Sequence, residues 1–473
     1  MTRAARAATL ALQILAAALS LSILAAALHD VSTTWDVWYY HLPFAARLAG
    51  VVPAEAYTFH ARNQGNFDGF PLLGELLQGL LWRVTGRPEC ANLVAAGSLG
   101  FFVWRLRSDH RVPLHLAAVA LLAIPLVQLH ASSCYVDLPA NLAASLLVLA
   151  VIRLHASPEP PSALAPLHLL VLAGVAANMR FQLHPVVGLA LVAAAPRLLP
   201  PLFRGPRLHL ALVLVALPLA FFSPLKNLVV HHNPYYPMRL SLPGLALPGV
   251  EDPYSSAPTY LEHAPRALRW LWSVLEIGVR PLTERRRWTI DQWAPGDSTA
   301  LRMGGFFGAY AVFHVALLVW LAARDGASRV ARRSALGFGL LTLVTAVLPQ
   351  SHELRYYLYW MIVLVSLNLS LVCARPDAQR RAPALGAACA LALGVVLAVT
   401  RAGYAYPSGS TFAEILESKV DAAILGRVHD GDRICLSKEP WTFLYAAPFH
   451  APRRYAVREA DRREACGDHR WEE

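Results

Sequence analysis

The chain has 473 residues, of which 56% are hydrophobic and only 15% are charged, and its formal net charge at pH 7 is +11. Together with a mean hydropathy of +0.41, this composition excludes an ordinary soluble globular protein. Long apolar runs separated by short arginine-rich joints predict an all-α polytopic membrane protein. The arginines are interpreted as a topology signal, so we infer no nucleic-acid partner from the positive charge.

Residues 8–28 form the first predicted element. This apolar run is longer than the hydrophobic region of a secretory signal peptide, and further spans follow without a secreted domain between them, so we predict a retained first span. Several later runs fall short of the ~20 residues that a bilayer requires. Short spans suit a bundle that lines a cavity, although inexact boundaries explain them equally well. The ten further predicted spans, which make about 11 in all, are 90–105, 112–130, 136–153, 166–179, 183–196, 208–224, 303–323, 334–349, 356–374 and 383–400.

Arginine clusters predict the orientation, because Lys and Arg concentrate in short cytoplasmic loops. With the N-terminus in the cytoplasm, the later clusters agree: Arg105, Arg107 and Arg111; Arg197, Arg204 and Arg207; Arg324, Arg329, Arg332 and Arg333; Arg375, Arg380 and Arg381. The agreement requires that "FPLLGELLQGLLW" (70–82) lies at the outer interface instead of crossing, an interpretation that Trp82, Arg83 and Arg87 favour. The segments then exposed on the outer side are 29–89, 131–136, 225–302 and 401–473.

Two outer segments carry isolated aspartates. In "TTWDVWYYHLPFAARL" the aromatic residues and arginine at near-helical spacing predict a helix lying flat on the membrane, which places Asp36 at the boundary of water and lipid. Asp137 precedes Pro139 at the outer start of a span, where a helix cap and a functional carboxylate are both open interpretations. A charge left in lipid would cost ~2.5 to 3.5 kcal/mol, so either interpretation favours an interior or hydrated position.

Basic residues mark three further outer turns. Arg355 lies beside His352 and Glu353 in "LPQSHELRYYLYW", which is either a local ion pair within an aromatic belt or a site for an anionic headgroup. Lys226 in "SPLKNLVVHHNPYYPM" either ends an interfacial helix or binds an anion. Arg180 in "ANMRFQLHP" lies at the turn of a short helical hairpin, where it either extends to the interface or joins a site.

In this order along the chain, "WDVWYYHLPFAARLAG", "GNFDGFPLLGELL", "YVDLPANL", "KNLVVHHNPYYP" and "HELRYYLYW" resemble the GT-C class of membrane glycosyltransferases. The resemblance covers roughly residues 8–400. It is closest to the bacterial branch related to the protein O-mannosyltransferases and the aminoarabinose transferase that acts on lipid A. It implies an enzyme of the bacterial inner membrane that takes a sugar from a polyprenyl-phosphate carrier. The sugar would pass to an envelope glycan, lipid or protein at the extracytoplasmic face.

The resemblance also implies roles for single residues. Asp36 matches a catalytic base or acceptor-orienting residue of the first outer loop, and Asp137 matches the second member of an acidic pair. Relatives often carry two adjacent acids in the first loop, whereas Val37 follows Asp36 here. The last motif of the eukaryotic mannosyltransferases, His-Lys-Glu before Arg-Phe or Arg-Tyr, is kept only in part in "SHELRYY".

Transfer from a lipid phosphate requires cations beside the departing phosphate, because the charge that develops there is strongly stabilised in a water-poor site. The predicted donor-phosphate residues are Arg355, Lys226, Arg180, His352 and Glu353. The predicted substrate contacts are Tyr40, His41 and Tyr235. "ERRRW" (284–288) is a further candidate phosphate clamp, or else a solvated arginine run.

The sequence predicts no certain cofactor. No glycine-rich phosphate loop follows a strand, which favours a lipid-carried sugar donor over a nucleotide sugar. Asp36 and Asp137 are candidate ligands for a shared divalent cation, since hard cations prefer oxygen ligands. The metal requirement stays open, and no Cys-x-x-Cys or His-Glu-x-x-His pattern indicates zinc.

The segment 401–473 differs in character from the bundle 1–400. "DAAILGRVHDGDRICLSKEPW" predicts a helix, a turn at Asp430 and a strand, so we expect a small α/β appendage or a partly ordered extension. Cys435 and Cys466 would face an oxidising compartment, where they either form a disulfide or stay free.

The alternative function is that of a membrane flippase or secondary transporter for a lipid-linked or anionic substrate. Transporters commonly show related halves and broken helices near the bilayer midplane. Here the charged candidates cluster at one face and no halves repeat, which favours the enzyme. A non-catalytic scaffold with the same fold is the third hypothesis.

Overall fold

A computed structural model describes residues 3–157, 160–242, 244–252, 263–276, 306–324, 326–400 and 410–472. These residues are mainly helical. The α-helices are α1 Arg3–His29, α2 Leu42–Leu48, α3 Ala61–Gly69, α4 Leu73–Thr85, α5 Leu93–His110, α6 Leu114–Leu122, α7 Pro125–His130, α8 Asp137–Ala156, α9 Ala165–Ala177, α10 His184–Arg204, α11 Arg207–Ala220, α12 Phe222–His231, α13 Arg266–Leu275, α14 Phe306–Ala323, α15 Arg329–Val347, α16 Tyr359–Cys373, α17 Ala378–Thr400, α18 Phe412–Lys419 and α19 Ala422–Gly426. Short turns of other helix types are a π-helical turn at Val37–His41 and 3₁₀ turns at Pro88–Asn92, Phe181–Leu183, Pro440–Tyr445, Ala447–His450 and Arg463–Cys466.

By length and apolar composition, six helices in the described ranges can cross a membrane, namely α1, α8, α10, α14, α15 and α17. The helices α11 and α12 meet at a 60° bend and make a seventh candidate if the pair counts as one span. The apolar helices α9 and α16 are shorter. The chain is therefore a polytopic helical membrane protein, as its composition predicted, whereas the count of about 11 spans stays a prediction.

The predicted span 112–130 is not one continuous helix. It divides into α6 and α7, with Ile124 in an extended conformation (φ −80°, ψ 113°) directly before Pro125. Proline lacks an amide hydrogen and disfavours a helical residue in front of it. The break follows from this proline, which the apolar pattern alone did not reveal.

The helix α8 lies at the centre of the bundle, since 78% of its apolar window is buried inside the protein. Asn141, one turn into α8, joins it to the segment before α16. Its Nδ2 donates to the carbonyl of Arg355 at 3.0 Å, and its Oδ1 accepts from the amide of Tyr359 at 2.9 Å. A buried amide whose donor and acceptor are both used fixes the relative position of two elements. This contact holds the turn that contains Arg355 beside the start of α8.

The predicted first outer segment, 29–89, folds into short helices. α4 packs closely against α2. A Cβ atom added at Gly79 would lie only 2.1 Å from the carbonyl oxygen of Ala45, so the contact leaves no room for a side chain at this position. The helix α4 is not among the helices that pass the length and composition test for a span. Its predicted place at the outer interface stays a prediction.

A four-stranded sheet joins this segment to the end of the chain. Its order is β1-β5-β4-β6 and every neighbouring pair is parallel. The strands are β1 Tyr57–Thr58, β4 Arg433–Ser437, β5 Ala456–Ala460 and β6 Arg470–Glu472, and a separate antiparallel hairpin pairs β2 Leu240–Leu242 with β3 Leu245–Leu247.

The region 410–472 shares a hydrophobic core with the first outer segment. Trp38 stacks on Phe412, with ring centroids 6.0 Å apart, and packs against Trp441 at 5.9 Å. Cys435 and Cys466 are joined by a disulfide, which decides the alternative that the sequence left open. The sheet takes one strand from residues 57–58, so it belongs to both of the predicted regions, 1–400 and 401–473. The division of the chain at residue 400 stays a prediction.

Candidate functional site

Asp36 lies at the start of the π-helical turn in the first outer segment. Its carboxylate accepts a hydrogen bond from the Tyr40 hydroxyl at 3.0 Å and another from Arg355 Nη1 at 3.2 Å, and the contact with Arg355 is also an ion pair. Tyr40 follows Asp36 by one helical turn, so the two side chains share a face. The Asp36 side chain is 21% exposed. It is therefore a held but accessible carboxylate.

Asp137 forms a second pair with Arg180, whose Nη2 lies 2.5 Å from its Oδ2. The Asp137 side chain is fully buried and that of Arg180 is 10% exposed. Asp137 Oδ1 and Arg180 Nε are buried and make no hydrogen bond with the residues that the structure describes. A buried polar atom without a partner is costly, so these two atoms mark a place where a ligand or water would be favourable. Asp137 thus begins α8 and also forms an interior ion pair.

Tyr356 connects the two Arg–Asp pairs. The guanidinium carbons of Arg355 and Arg180 lie 4.8 Å and 5.2 Å from the centre of its ring, and Arg355 Nη2 donates to its hydroxyl at 3.0 Å. Arg355 also lies over the ring of Tyr135, at 5.7 Å. Aromatic faces attract cations, and here one ring attracts two. Two guanidinium groups, each paired with a carboxylate, therefore contact the same ring.

Glu353 is a third acid at this cluster. Its carboxyl is buried, and burial raises its pKa to about 7 in spite of the nearby Arg355. Arg355 Nε lies 4.0 Å from the Glu353 carboxyl. The nearby Tyr356 hydroxyl opposes the rise in the pKa of Glu353. Neither carboxyl oxygen accepts a hydrogen bond of normal geometry from the described residues. The site therefore contains two permanent positive charges and a third acid that exchanges a proton near neutral pH.

A buried histidine and a buried glutamate pack next to the site residues Tyr40 and Tyr135. His41 Nδ1 and Glu75 Oε1 are 2.9 Å apart, and both side chains are almost completely buried. The His41 ring lies 4.3 Å from that of Tyr40 and 5.1 Å from that of Tyr135. His41 is therefore inside the protein, and its predicted contact with substrate stays a prediction. Glu75 was not singled out from the sequence. The feature that could have identified it is a single acid on the otherwise apolar helix α4.

The other predicted site residues have contacts of their own outside the two pairs. Lys226 donates to the carbonyl of Asp68, and the Tyr235 ring lies 5.8 Å from that of His184. The backbone carbonyl of His352 accepts from the Ser273 hydroxyl. The roles predicted for these side chains stay predictions, and the arginine run 284–288 lies outside the described residues.

The described ranges contain no group of three or more His, Cys, Asp or Glu side chains that is placed to hold a metal ion. Asp36 and Asp137, the candidate ligands, are each paired with an arginine. A guanidinium already supplies the positive charge that a cation would bring, so these residues as arranged do not form a ready metal site.

No protein-family model and no curated protein matches the sequence. Among solved structures, the chain is similar to the crystal structure of ArnT from Cupriavidus metallidurans bound to undecaprenyl phosphate. The TM-score is 0.51 at 14% identity, over 94% of this chain and 85% of that one. The apo crystal structure of the same protein aligns with a TM-score of 0.42 at 14% identity, over 95% of this chain and 86% of that one. The chain therefore adopts a GT-C, ArnT-like fold, which confirms the fold that the ordered sequence motifs indicated.

Proposed function

We propose that this protein is an integral-membrane glycosyltransferase that moves a sugar from a polyprenyl-phosphate carrier to an acceptor at the extracytoplasmic face. One observation carries the proposal: the guanidinium groups of Arg355 and Arg180 both contact the ring of Tyr356, and Arg355 also pairs with an accessible carboxylate, Asp36. Guanidinium groups suit the phosphodiester of such a donor, and suit even better the phosphate monoester that leaves when the sugar is transferred. The ArnT-like fold, in a neighbour bound to undecaprenyl phosphate, supports the same donor class.

Arg355 is the residue through which donor binding and catalysis would be coupled. Its guanidinium holds Asp36 through Nη1, and the planar set of N–H donors of a guanidinium can bind a phosphate in place of a carboxylate. An arriving phosphate would compete with Asp36 for this cation, and the released carboxylate would then be free to accept a proton. Binding of the donor would in this way prepare the base.

The reaction would proceed by attack of the acceptor hydroxyl or amine on the anomeric carbon of the sugar. The new bond forms to that carbon while its bond to the carrier phosphate breaks, and Asp36 takes the acceptor proton. A positioned base typically contributes ~10²- to 10⁴-fold to such a step. The carrier leaves as polyprenyl phosphate, and Arg355 with Arg180 stabilises the charge that develops on its phosphate. Asp137 keeps Arg180 in position and ionised.

Several features support an outer location for this site. With the N-terminus in the cytoplasm, the arginine clusters of the short loops fall on the cytoplasmic side. The bond between Cys435 and Cys466 suits an oxidising compartment. The strand β1 lies next to β5 in one sheet, which puts the first outer segment on the same side as 410–472. We accordingly assign 1–400, with outer loops 29–89 and 225–302, to the bundle and 401–473 to a small extracytoplasmic α/β region of an inner-membrane protein.

The proposal is tested with Asp36→Asn in proteoliposomes that contain a radiolabelled polyprenyl-phosphate sugar and envelope extract as the acceptor source. Because the variant lacks the base, we expect transfer to fall by at least ~10²-fold while the donor lipid still binds. The matched control is Asp252→Asn, since the Asp252 side chain is 78% exposed and its ion pair within the described residues is with the exposed Arg239. Its transfer rate should equal that of the wild type.

Unchanged transfer in Asp36→Asn would remove the catalytic assignment. A wild-type protein that moves the labelled lipid between leaflets without forming a new glycoside would instead support the flippase. Donor binding without either activity would support the scaffold.

A further inference from the structure

A groove on the flank of the bundle, between α8, α10 and α15, lies outside the candidate functional site. Its volume is about 550 Å³, within the roughly 300 to 1,000 Å³ typical of pockets for small organic ligands. The floor is apolar and buried, and it is formed by Val148, Val151, Val186, Ala190 and Leu341. The groove is therefore built to hold an apolar chain.

The groove opens sideways from the bundle. Leu189, Leu336 and Leu340 line it and remain 49%, 66% and 58% exposed. In a soluble protein such side chains would contact water, but in helices that cross a membrane they contact lipid chains. The natural occupant of the groove thus reaches it from the bilayer.

One end of the groove is strongly basic. Arg197, Arg333 and His155 line it, and no Asp or Glu does. Arg333 Nη1 donates to the carbonyl of His155 at 2.7 Å, while Arg197 forms no ion pair or hydrogen bond within the described parts of the chain. Two guanidinium groups without an acidic partner, at the end of an apolar groove, complement a molecule with an anionic head and an apolar tail.

This basic end lies far from the Arg355 site. His155 follows Asp137 by 18 residues in α8, which is about 27 Å along the helix and close to the ~30 Å thickness of the hydrocarbon core. A carrier phosphate held by Arg355 and Arg180 cannot also lie between Arg197 and Arg333. The groove itself, from Val186 to Arg197, extends about 16 Å along α10, which is about half of that core and so matches one leaflet.

We propose that this groove binds one anionic phospholipid of the leaflet opposite the candidate functional site, with an acyl chain along the apolar floor and the phosphate between Arg197 and Arg333. In the topology given above, this leaflet is the cytoplasmic one. The proposal does not depend on the enzymatic function, because neither arginine belongs to the donor site.

The test measures lipid binding to the purified full chain in detergent by native mass spectrometry. The probes are dioleoyl phosphatidylglycerol and dioleoyl phosphatidylcholine, which have the same chains and differ in net charge. We expect preferential binding of phosphatidylglycerol by the wild type. The double variant Arg197→Gln, Arg333→Gln should bind it about tenfold to thirtyfold more weakly, whereas Arg332→Gln, an exposed arginine outside the groove, should bind it normally.

Equal binding of both lipids by the wild type would overturn the proposal, and so would unchanged phosphatidylglycerol binding by the double variant. Ala193→Phe, which fills the groove, is compared with Val192→Phe, which points away from it and is 69% exposed in the wild type. Only Ala193→Phe should lose co-purified phospholipid. If it loses co-purified polyprenyl phosphate instead, the occupant is the tail of the carrier and the proposal is wrong.

Discussion

Arg180 and Arg355 each hold a carboxylate inside the protein, and in the proposed mechanism both also bind the donor phosphate. Each pairs with an acid that would otherwise be unfavourable at its depth, but the two acids differ in exposure: the side chain of Asp137 is fully buried, and that of Asp36 is 21% exposed. A fully buried pair is held chiefly by the cost of separating its charges. The half-buried Asp36–Arg355 pair is easier to exchange for a ligand.

Arg180→Gln leaves the Asp137 carboxylate buried without its cation, so we expect the free energy of unfolding to fall by about 3 to 5 kcal/mol. The measurement is denaturant-induced unfolding of the purified protein in detergent. The combined variant Arg180→Gln, Asp137→Asn should lose less stability than the sum of the two single variants, because no unpaired charge remains.

Arg433→Gln is the control for Arg180→Gln, because it removes an arginine from an exposed ion pair instead of a buried one. Arg433 pairs with Asp468, and both side chains are more than 60% exposed. Water screens an exposed pair, so its loss should change the stability little. Equal losses at Arg180 and Arg433 would show that the buried pair is not specially costly to break.

The sequence could identify these residues but not their pairing. Asp36, Asp137, Arg180 and Arg355 each stood out as a charge at the end of an apolar run. The partners are 319 residues apart in one pair and 43 in the other, and no local periodicity relates residues so distant. Glu75 was missed for a similar reason, because its partner His41 comes from another helix.

The helices follow their sequence patterns where apolar runs are continuous and depart from them where backbone chemistry intervenes. Continuous runs gave α1, α8, α14 and α17 close to the predicted bounds. The run 112–130 broke at Pro125, and the closeness of α4 to α2 depends on a glycine whose partner cannot be seen in the sequence. Apolar periodicity states which face of a helix is buried, but not which neighbour covers it.

Gly79→Ala should weaken the packing of α4 on α2. The added methyl would meet the backbone of Ala45, which cannot move as a side chain can, so we expect a loss of about 1 to 3 kcal/mol in unfolding free energy. Gly97→Ala is the matched change, since Gly97 lies within α5 with open space around it. This second variant should be neutral or up to about 1 kcal/mol more stable. A stable Gly79→Ala protein would mean that the two helices can separate slightly without cost.

At the scale of the whole molecule, one hydrophobic core and one sheet combine segments from both ends of the chain. The hydrophobic core around Trp38 includes Phe412 and Trp441, and the sheet includes β1. The sequence indicated an α/β segment near the C-terminus but gave no sign of β1, because two residues carry no recognisable strand pattern. Parallel pairing across so long a separation leaves no local signal.

Single cysteines at exposed positions test the orientation of the whole chain. We expect Glu55→Cys and Glu417→Cys to react with a membrane-impermeant maleimide in intact cells, and Ser162→Cys to react only after permeabilisation. The four free cysteines of the described residues are buried or half-buried, which keeps the background low. Labelling of Ser162→Cys in intact cells would reverse the proposed topology.

The pairing of β1 with β5 also constrains the order in which the protein can be completed. Tyr57 can pair with Val457 only after the ribosome has added about 400 further residues. At a synthesis rate of roughly 5 to 20 residues per second, the interval is about 20 to 80 s. During that time the edge of β1 and the aromatic side chains beside it have no partner from the C-terminal end. A nascent chain arrested before residue 456 would therefore be the species most in need of a chaperone, and most sensitive to a protease, outside the membrane.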